Sequence, residues 1–328
     1  MINFCKQVLA VGGKIVPILL DFKYTNGTGI FNPSVYYDSA LNKLLINIRH
    51  CQYILYHSEK NIFESQWGPL SYLNPENDMT LTTTNYICEL NPETLRVELV
   101  NRIDTSKLDV KPIWEFVGLE DVRLVRWDNK LYATGVRRDT TTNGQGRMEL
   151  SEVEYVNGAT KEISRYRIPT TGPDNTYCEK NWMPIPEMPF HYVKWCNPTE
   201  IVHANMVDKT TTQVYLGQSF NYPRDFRGGS QVIRLNDDYM FACVHTVYLF
   251  KSEIGAKNAI YRHCFIVWDN NWNVHKVTEE FSFLEGMIEF CTGMTKYNND
   301  FILSFGFQDN ACYLLRIPQQ FMETLCLK

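Results

Sequence analysis

Several common features are missing from this chain, and each absence removes a class of function. Its ten cysteines (Cys5, Cys51, Cys88, Cys178, Cys196, Cys243, Cys264, Cys291, Cys312 and Cys326) include no Cys-x-x-Cys pair. Scattered through 328 residues, they read as buried free thiols of a reducing compartment rather than a disulfide framework. Apolar runs long enough to cross a bilayer are also absent. The stretches Val8–Val11 and Ile15–Leu20 are interrupted by Gly12-Gly13-Lys14 and by Pro17. The same segment lacks the charged head and cleavage site of a signal peptide. A soluble, cytoplasmic protein without a membrane span is expected. Positive charge is not in excess either, since 32 Lys and Arg against 37 Asp and Glu leave a net charge of −5. That gives no footprint for nucleic acid. His191, His203, His263 and His275 lack metal-site spacing, and no Cys/His set offers a tetrahedral cage, so no metal is expected. Gly144-Gln-Gly146 precedes no helix and is a loop tip rather than a phosphate cradle.

Helical periodicity is scarce. Ser252–Asn258 offers at most a turn or two, and Gln319–Leu325 a short terminal helix. What the chain has instead is aromatic and alternating sequence, with 19 Tyr, 18 Phe and 7 Trp. The stretch Trp114–Arg138 shows the pattern most clearly. It has a glycine entry at Gly118, an acidic pair Glu120-Asp121, a short alternating strand, a turn at Asp128-Asn129-Lys130, and a second strand ending in two arginines. Four other segments share this outline, beginning at Asn32, Asn197, Gly228 and Cys291. Further strands are expected over Gln52–His57, Asn85–Leu90, Arg96–Ile103, Glu149–Tyr155, Glu162–Ile168, Tyr261–Trp268 and Cys312–Ile317.

Five outlines with about four strands apiece predict an all-β, five-bladed β-propeller filling residues 1–328 as one domain. A sandwich or barrel of similar strand count is the alternative. The Pro/Gly/Thr-rich stretches Asp139–Arg147, Pro169–Tyr177 and Glu187–Pro189 read as long loops on that domain, as do Tyr72–Thr84 and Asp139–Gly146. In a propeller the inner strands line a central channel, so their polar mouths converge. That would gather Asn32, Arg49, Asp121, Lys180, Arg227, His245 and Asp309 from distant positions.

These residues lie in motifs that resemble the five-bladed β-mannoside phosphorylases and hydrolases and the related β-1,2-mannosyltransferases. The likeness is carried by Phe31-Asn-Pro-Ser34 with Arg49, Gly118-Leu-Glu-Asp-Val-Arg123, Glu179-Lys-Asn-Trp-Met-Pro184, Gly228-Gly-Ser230 leading to His245, and Phe290-Cys-Thr-Gly293 leading to Asp309. The motifs follow the family's order along nearly the whole chain. The resemblance implies that Asp121 is the general acid or base, its proton travelling through a hydroxyl of the bound mannose. It implies that Asn32, Arg49, Arg123 and Asp309 hold the donor sugar, and that Lys180, Arg227, His245 and Tyr261 face an attacking or departing anion. It implies an inverting reaction on a β-mannosidic or similar bond, with inorganic phosphate or an activated sugar as co-substrate and no other cofactor. An oligosaccharide, a sugar phosphate or a nucleotide sugar would be the partner. Two departures stand out: Val122 replaces the family's proline, and Asn197 stands where phosphorylases place an arginine before Pro198. The second leaves phosphorolysis, hydrolysis and transfer open, with a lean to transfer. A propeller that binds glycans or proteins without catalysis is the rival reading.

Overall fold

The computed structural model describes residues 2–52, 54–56, 61–63, 70–73, 80–140, 144–156, 158–172, 176, 178–253, 255 and 257–328. It is built almost wholly of antiparallel strands that pair with their neighbours in sequence. The first meander comprises Ile30–Asp38, Lys43–Cys51, Leu81–Leu90 and Val97–Asp104. The second comprises Glu120–Trp127, Lys130–Arg137, Arg147–Val156 and Ala159–Arg167. Met183–Pro184, His191–Cys196, Thr199–Asn205 and Thr210–Leu216 form the third. Ile233–Arg234, Tyr239–Lys251, Lys257–Asp269 and Val274–Val277 form the fourth. The last joins Glu289–Tyr297, Asp300–Phe307 and Ala311–Pro318 to Lys14–Ile18, a strand from the other end of the chain. A short parallel pairing of Thr160-Lys161 with Ile103-Asp104 fuses the outer edges of the first two meanders into one sheet.

Alternation explains why these strands stack in a ring. The inner strands of the meanders are buried on both faces, and each hydrophobic cluster is shared by two meanders. Leu45 and Ile87 pack with Val122 and Leu124 between the first and second meanders. Trp127 meets Trp182 and Tyr192 between the second and third, and Met183 meets Val244 between the third and fourth. Phe241 and Phe265 meet Phe301 and Phe305 between the fourth and fifth, where helix Phe4–Ala10 also buries Phe4 and Val8. Ile302 and Leu314 then meet Ile46 and Ile48, returning to the first. The succession of cores closes on itself.

The inner strands are tied to one another by fully buried polar side chains. Gln231 donates through Nε2 to the Leu124 carbonyl (2.9 Å) and accepts from the Met294 amide (2.9 Å). Ser304 donates to the Pro33 carbonyl (2.6 Å) and accepts from the Val35 amide (3.0 Å). Bonds of this kind satisfy backbone groups where strands of different sheets meet without a ladder.

Among its described residues Ser252–Asn258 holds no more than the turn allowed for it, the Gly255 amide donating to the Ser252 carbonyl (2.9 Å), and Lys257–Asn258 already belong to a strand that pairs with Phe250 and Lys251. Two sequence expectations change. Leu81–Thr84 is strand rather than loop, while residues 74–79, 141–143, 173–175 and 177 of the proposed loops, and residues 53 and 57 of the Gln52–His57 strand, lie outside the described residues. The third outline is also out of register. Asn197-Pro198 sits at the turn between the second and third strands of its meander, not at an inner strand mouth. The terminal helix runs Gln319–Leu327 and buries Met322 and Cys326. Phe4–Ala10, capped by the Asn3 side chain on the Lys6 amide (3.0 Å), was not legible as a helix because seven residues carry too little periodicity.

Candidate active site

The inner strands do not run straight into the cavity they surround. Their registers shift between Phe31 and Ser34, between Glu120 and Arg123, and between Cys291 and Gly293. A bulge adds a residue to one strand and re-aims its side chain. Asn32 and Asp121, the residues inside the first two shifts, adopt left-handed backbone with φ of 48° and 52°. Asn181 (63°), Gln308 (54°) and Asp309 (48°) do the same. All five line one cavity of about 350 Å³. Left-handed backbone at non-glycine residues is costly, and its gathering here marks a site that the surrounding fold holds under strain. Space is made for it by Gly306, where a Cβ would lie 2.5 Å from Asn32 Oδ1 and 2.6 Å from its amide nitrogen.

One wall is acidic and guarded by an arginine. Asp121 is 7% exposed, and its Oδ1 accepts from Arg49 Nη1 (2.7 Å) and from Asn32 Nδ2 (2.8 Å). Among the described residues Oδ2 has no hydrogen-bond partner, so one carboxylate oxygen is left for whatever enters the cavity. Arg49 also reaches Glu120 Oε2 (3.4 Å), donates from Nε to Thr83 Oγ1 (3.3 Å), and lies over the Phe31 ring. Burial pushes the Asp121 carboxyl up, but the charges of Arg49, Lys180 and Arg123 and the Asn32 bond outweigh it, and the group is held below the usual carboxylate range. Asp309, across the cavity, goes the other way. Burial, opposed by Arg49 and reinforced by the Asp121 charge, raises it to about 6. Two carboxyls in one hollow are thereby shifted in opposite directions, so that on acidification Asp309 takes up its proton first.

The facing wall is cationic. Lys180 and Arg227 line the cavity, and among the described residues neither has a carboxylate partner or any side-chain hydrogen bond. Arg227 is fixed through its backbone, which exchanges two hydrogen bonds with His245 (2.8 and 3.0 Å). The His245 ring stacks on Tyr261 (5.3 Å) and abuts Phe290 (4.6 Å). Burial, then the nearby His263, Arg227, Lys180 and Arg123, hold His245 far below its ordinary value, so it stays neutral and can donate one hydrogen bond without adding charge. Burial and the Asp309 charge keep the Tyr261 phenol protonated. The cavity thus sets two cations that have no carboxylate partner among the described residues beside two neutral hydrogen-bonding rings.

The structure thus brings Asn32, Arg49, Asp121, Lys180, Arg227, His245, Tyr261 and Asp309 around one hollow. Arg123 is the correction. It is fully buried behind the wall, donating from Nε to the Gly229 carbonyl (2.7 Å) and from Nη1 to the Asp121 carbonyl (2.6 Å). It holds the bulged backbone and does not reach a sugar. Asn197 also lies away from the cavity, bonded through its side chain to the backbone of Phe220 at 2.8 and 2.9 Å. Sequence reasoning missed Phe116, Asn181 and the long hairpin Tyr239–Lys251/Lys257–Asp269, which supplies Leu249 and Ala259 to the cavity. Asn181 was within reach, since it sits inside the Glu179–Pro184 motif. Among the described residues no group of three or more His, Cys, Asp or Glu could hold a metal, and no helix is long and apolar enough to cross a membrane.

No protein-family model and no curated protein matches this sequence. Solved structures do. A β-1,2-mannobiose phosphorylase from Listeria innocua, bound to β-1,2-mannobiose, superposes with a TM-score of 0.54 over 95% of this chain and 93% of its own, at 10% identity. The chain shares the fold of the mannoside phosphorylases. A structure described with the GH130 family of mannoside phosphorylases, which contains glycoside hydrolases that target β-1,2 mannosidic linkages in Candida mannan, aligns at TM-score 0.53 over 88% of this chain and 84% of its own, at 10% identity. A glycoside hydrolase assigned from Parabacteroides distasonis aligns at 0.51, 11% identical, over 88% of this chain and 87% of its own. At about one residue in ten identical, the likeness is one of fold.

Proposed function

We propose that the five meanders are the blades of a β-propeller forming a single domain over residues 1–328, and that its cavity makes a β-mannosidic or similar glycosidic bond by inverting transfer from a phosphate-activated sugar. The carrying observation is the composition of the cavity. Asp121, its Oδ2 unengaged among the described residues, shares the cavity with Lys180 and Arg227, which have no carboxylate partner among the described residues. A sugar held between Asn32, Arg49 and Asp309 would present its anomeric carbon to both. The acceptor hydroxyl attacks that carbon, and the carbon–oxygen bond to phosphate breaks with its electron pair on the phosphate oxygen. The hydroxyl proton passes to Asp121, directly or through a hydroxyl of the bound sugar. Lys180, Arg227 and the donors on His245 and Tyr261 would take the departing charge.

The electrostatics of Asp121 suit the base role: a general base must be ionised at the working pH, and Arg49, Lys180 and Arg123 hold this carboxyl below the usual range. The solved structures of like fold include a phosphorylase acting on β-1,2-mannobiose, and phosphorolysis is this transfer run in reverse. The test is product analysis after incubation with mannose 1-phosphate plus mannose, with GDP-mannose plus mannose, and separately with β-mannobiose plus phosphate. A β-linked disaccharide formed from an activated donor is expected. No turnover in any of these combinations, nor from a mannosyl alkyl phosphodiester plus mannose, would leave a glycan-binding propeller and overturn the enzymatic reading.

A further inference from the structure

The cation wall continues outward into an aliphatic one, and that continuation bears on what hangs from the phosphate. In the long hairpin His245 pairs with His263, Val247 with Tyr261, and Leu249 with Ala259, so these residues share one face in order from the cavity floor towards the hairpin tip. The floor is imidazole and phenol, and the next step out is Leu249 with Ala259. Met287 flanks the same step, because the Tyr261 amide donates to the Met287 carbonyl (2.8 Å). Ile288 is pinned there too, its amide donating to Gln308 Oε1 (2.7 Å) while the Gln308 amide donates to its carbonyl (2.7 Å). Met287 is 36% exposed and Leu249 half-buried, and both face the cavity mouth. The opposite wall, with Glu120, Asp121 and Arg49, carries charge instead.

We propose, resting on the transfer reading above, that the leaving group is a phosphate ester carrying an alkyl or other aliphatic substituent rather than inorganic phosphate or a nucleotide. Lys180 and Arg227 fix the phosphoryl oxygens, and the substituent lies along Leu249, Ala259, Met287 and Ile288. Inorganic phosphate would leave that strip exposed to water. A nucleoside would bring a hydroxylated ribose and a polar base against Leu249, Ala259, Met287 and Ile288, where only the side-chain amides of Asn258 and Gln308 at the margins could return hydrogen bonds.

The test is calorimetric titration with inorganic phosphate, methyl, butyl and octyl phosphate, and guanosine monophosphate. In the wild-type protein affinity should rise about threefold for each methylene that the strip covers, and guanosine monophosphate should bind no better than phosphate. In Leu249→Gln and Met287→Gln the alkyl series should flatten while inorganic phosphate binds within a few-fold of wild type, which also certifies that the variants are folded. A flat wild-type series, an alkyl gain that survives both substitutions, or a larger gain from the nucleoside would each overturn the inference while leaving the transfer reading standing. Failure of every phosphate to bind, with Lys180→Ala indistinguishable from wild type, would remove both.

Discussion

Asp121 and Asp309 lie on one cavity, carry the same functional group and are shifted in opposite directions by what stands beside each. For Asp309 the consequence is measurable in stability. Its carboxyl titrates near 6 in the folded chain and near the ordinary Asp value when unfolded, so the folded state binds the extra proton between those limits. That contribution is fully present below about pH 4 and is lost as pH rises through 6. Asp309→Asn should therefore unfold in urea with a stability gain on the order of 2 kcal/mol at pH 8 that vanishes near pH 4. Arg123 shows the limit of residue-level reading. A two-residue period places it on the face of Asp121, and only the bulge between Glu120 and Arg123 turns it inward. Arg123→Met should cost about 3 kcal/mol in denaturant titrations, since two carbonyls lose their charged donor, and the variant should bind sugar more weakly through the displaced Asp121 backbone. The polar cluster itself was legible, because a hydrophilic residue at the mouth of an apolar strand has few other places to go.

Strands and turns were the easier part, and the errors fell where two elements decide each other's conformation. Lys257–Asn258 have little strand pattern of their own and are drawn into one by the ladder opposite. The third outline was recognised as a hairpin but assigned to the wrong pair of strands, since its inner strand is only Met183–Pro184. No sequence signal marks so short a segment. At this scale the inner-strand bulges depend on close approach. Gly306→Ala would push a methyl into Asn32, where backbone as well as side chain must yield. A loss of about 2 kcal/mol of stability and a marked rise in KM for the sugar are expected, read by thermal unfolding and steady-state kinetics. Unchanged sugar affinity would show that Asn32 is not held by that contact.

The whole molecule is organised by closure. The last meander is completed by Lys14–Ile18, whose pairing with Ala311–Pro318 joins the two ends of the chain, and the five cores succeed one another around a buried polar axis. Repeats in the sequence made a ring of sheets legible; the strand that closes it was not, because it looks like any mildly apolar segment until its partner is known. Removing residues 1–18 should strip a strand and the Phe4 and Val8 packing, and the truncated chain should lose cooperative unfolding. The ring also explains how residues nearly three hundred positions apart, Asn32 and Asp309, share a hollow. The central claim is that this hollow works through Asp121, and it is tested most directly by comparing Asp121→Asn with wild type in one preparation for kcat of mannosyl transfer and for mannose 1-phosphate affinity. A fall in kcat of about a thousandfold or more with affinity kept within a few-fold is the predicted result; transfer at an undiminished rate would contradict it.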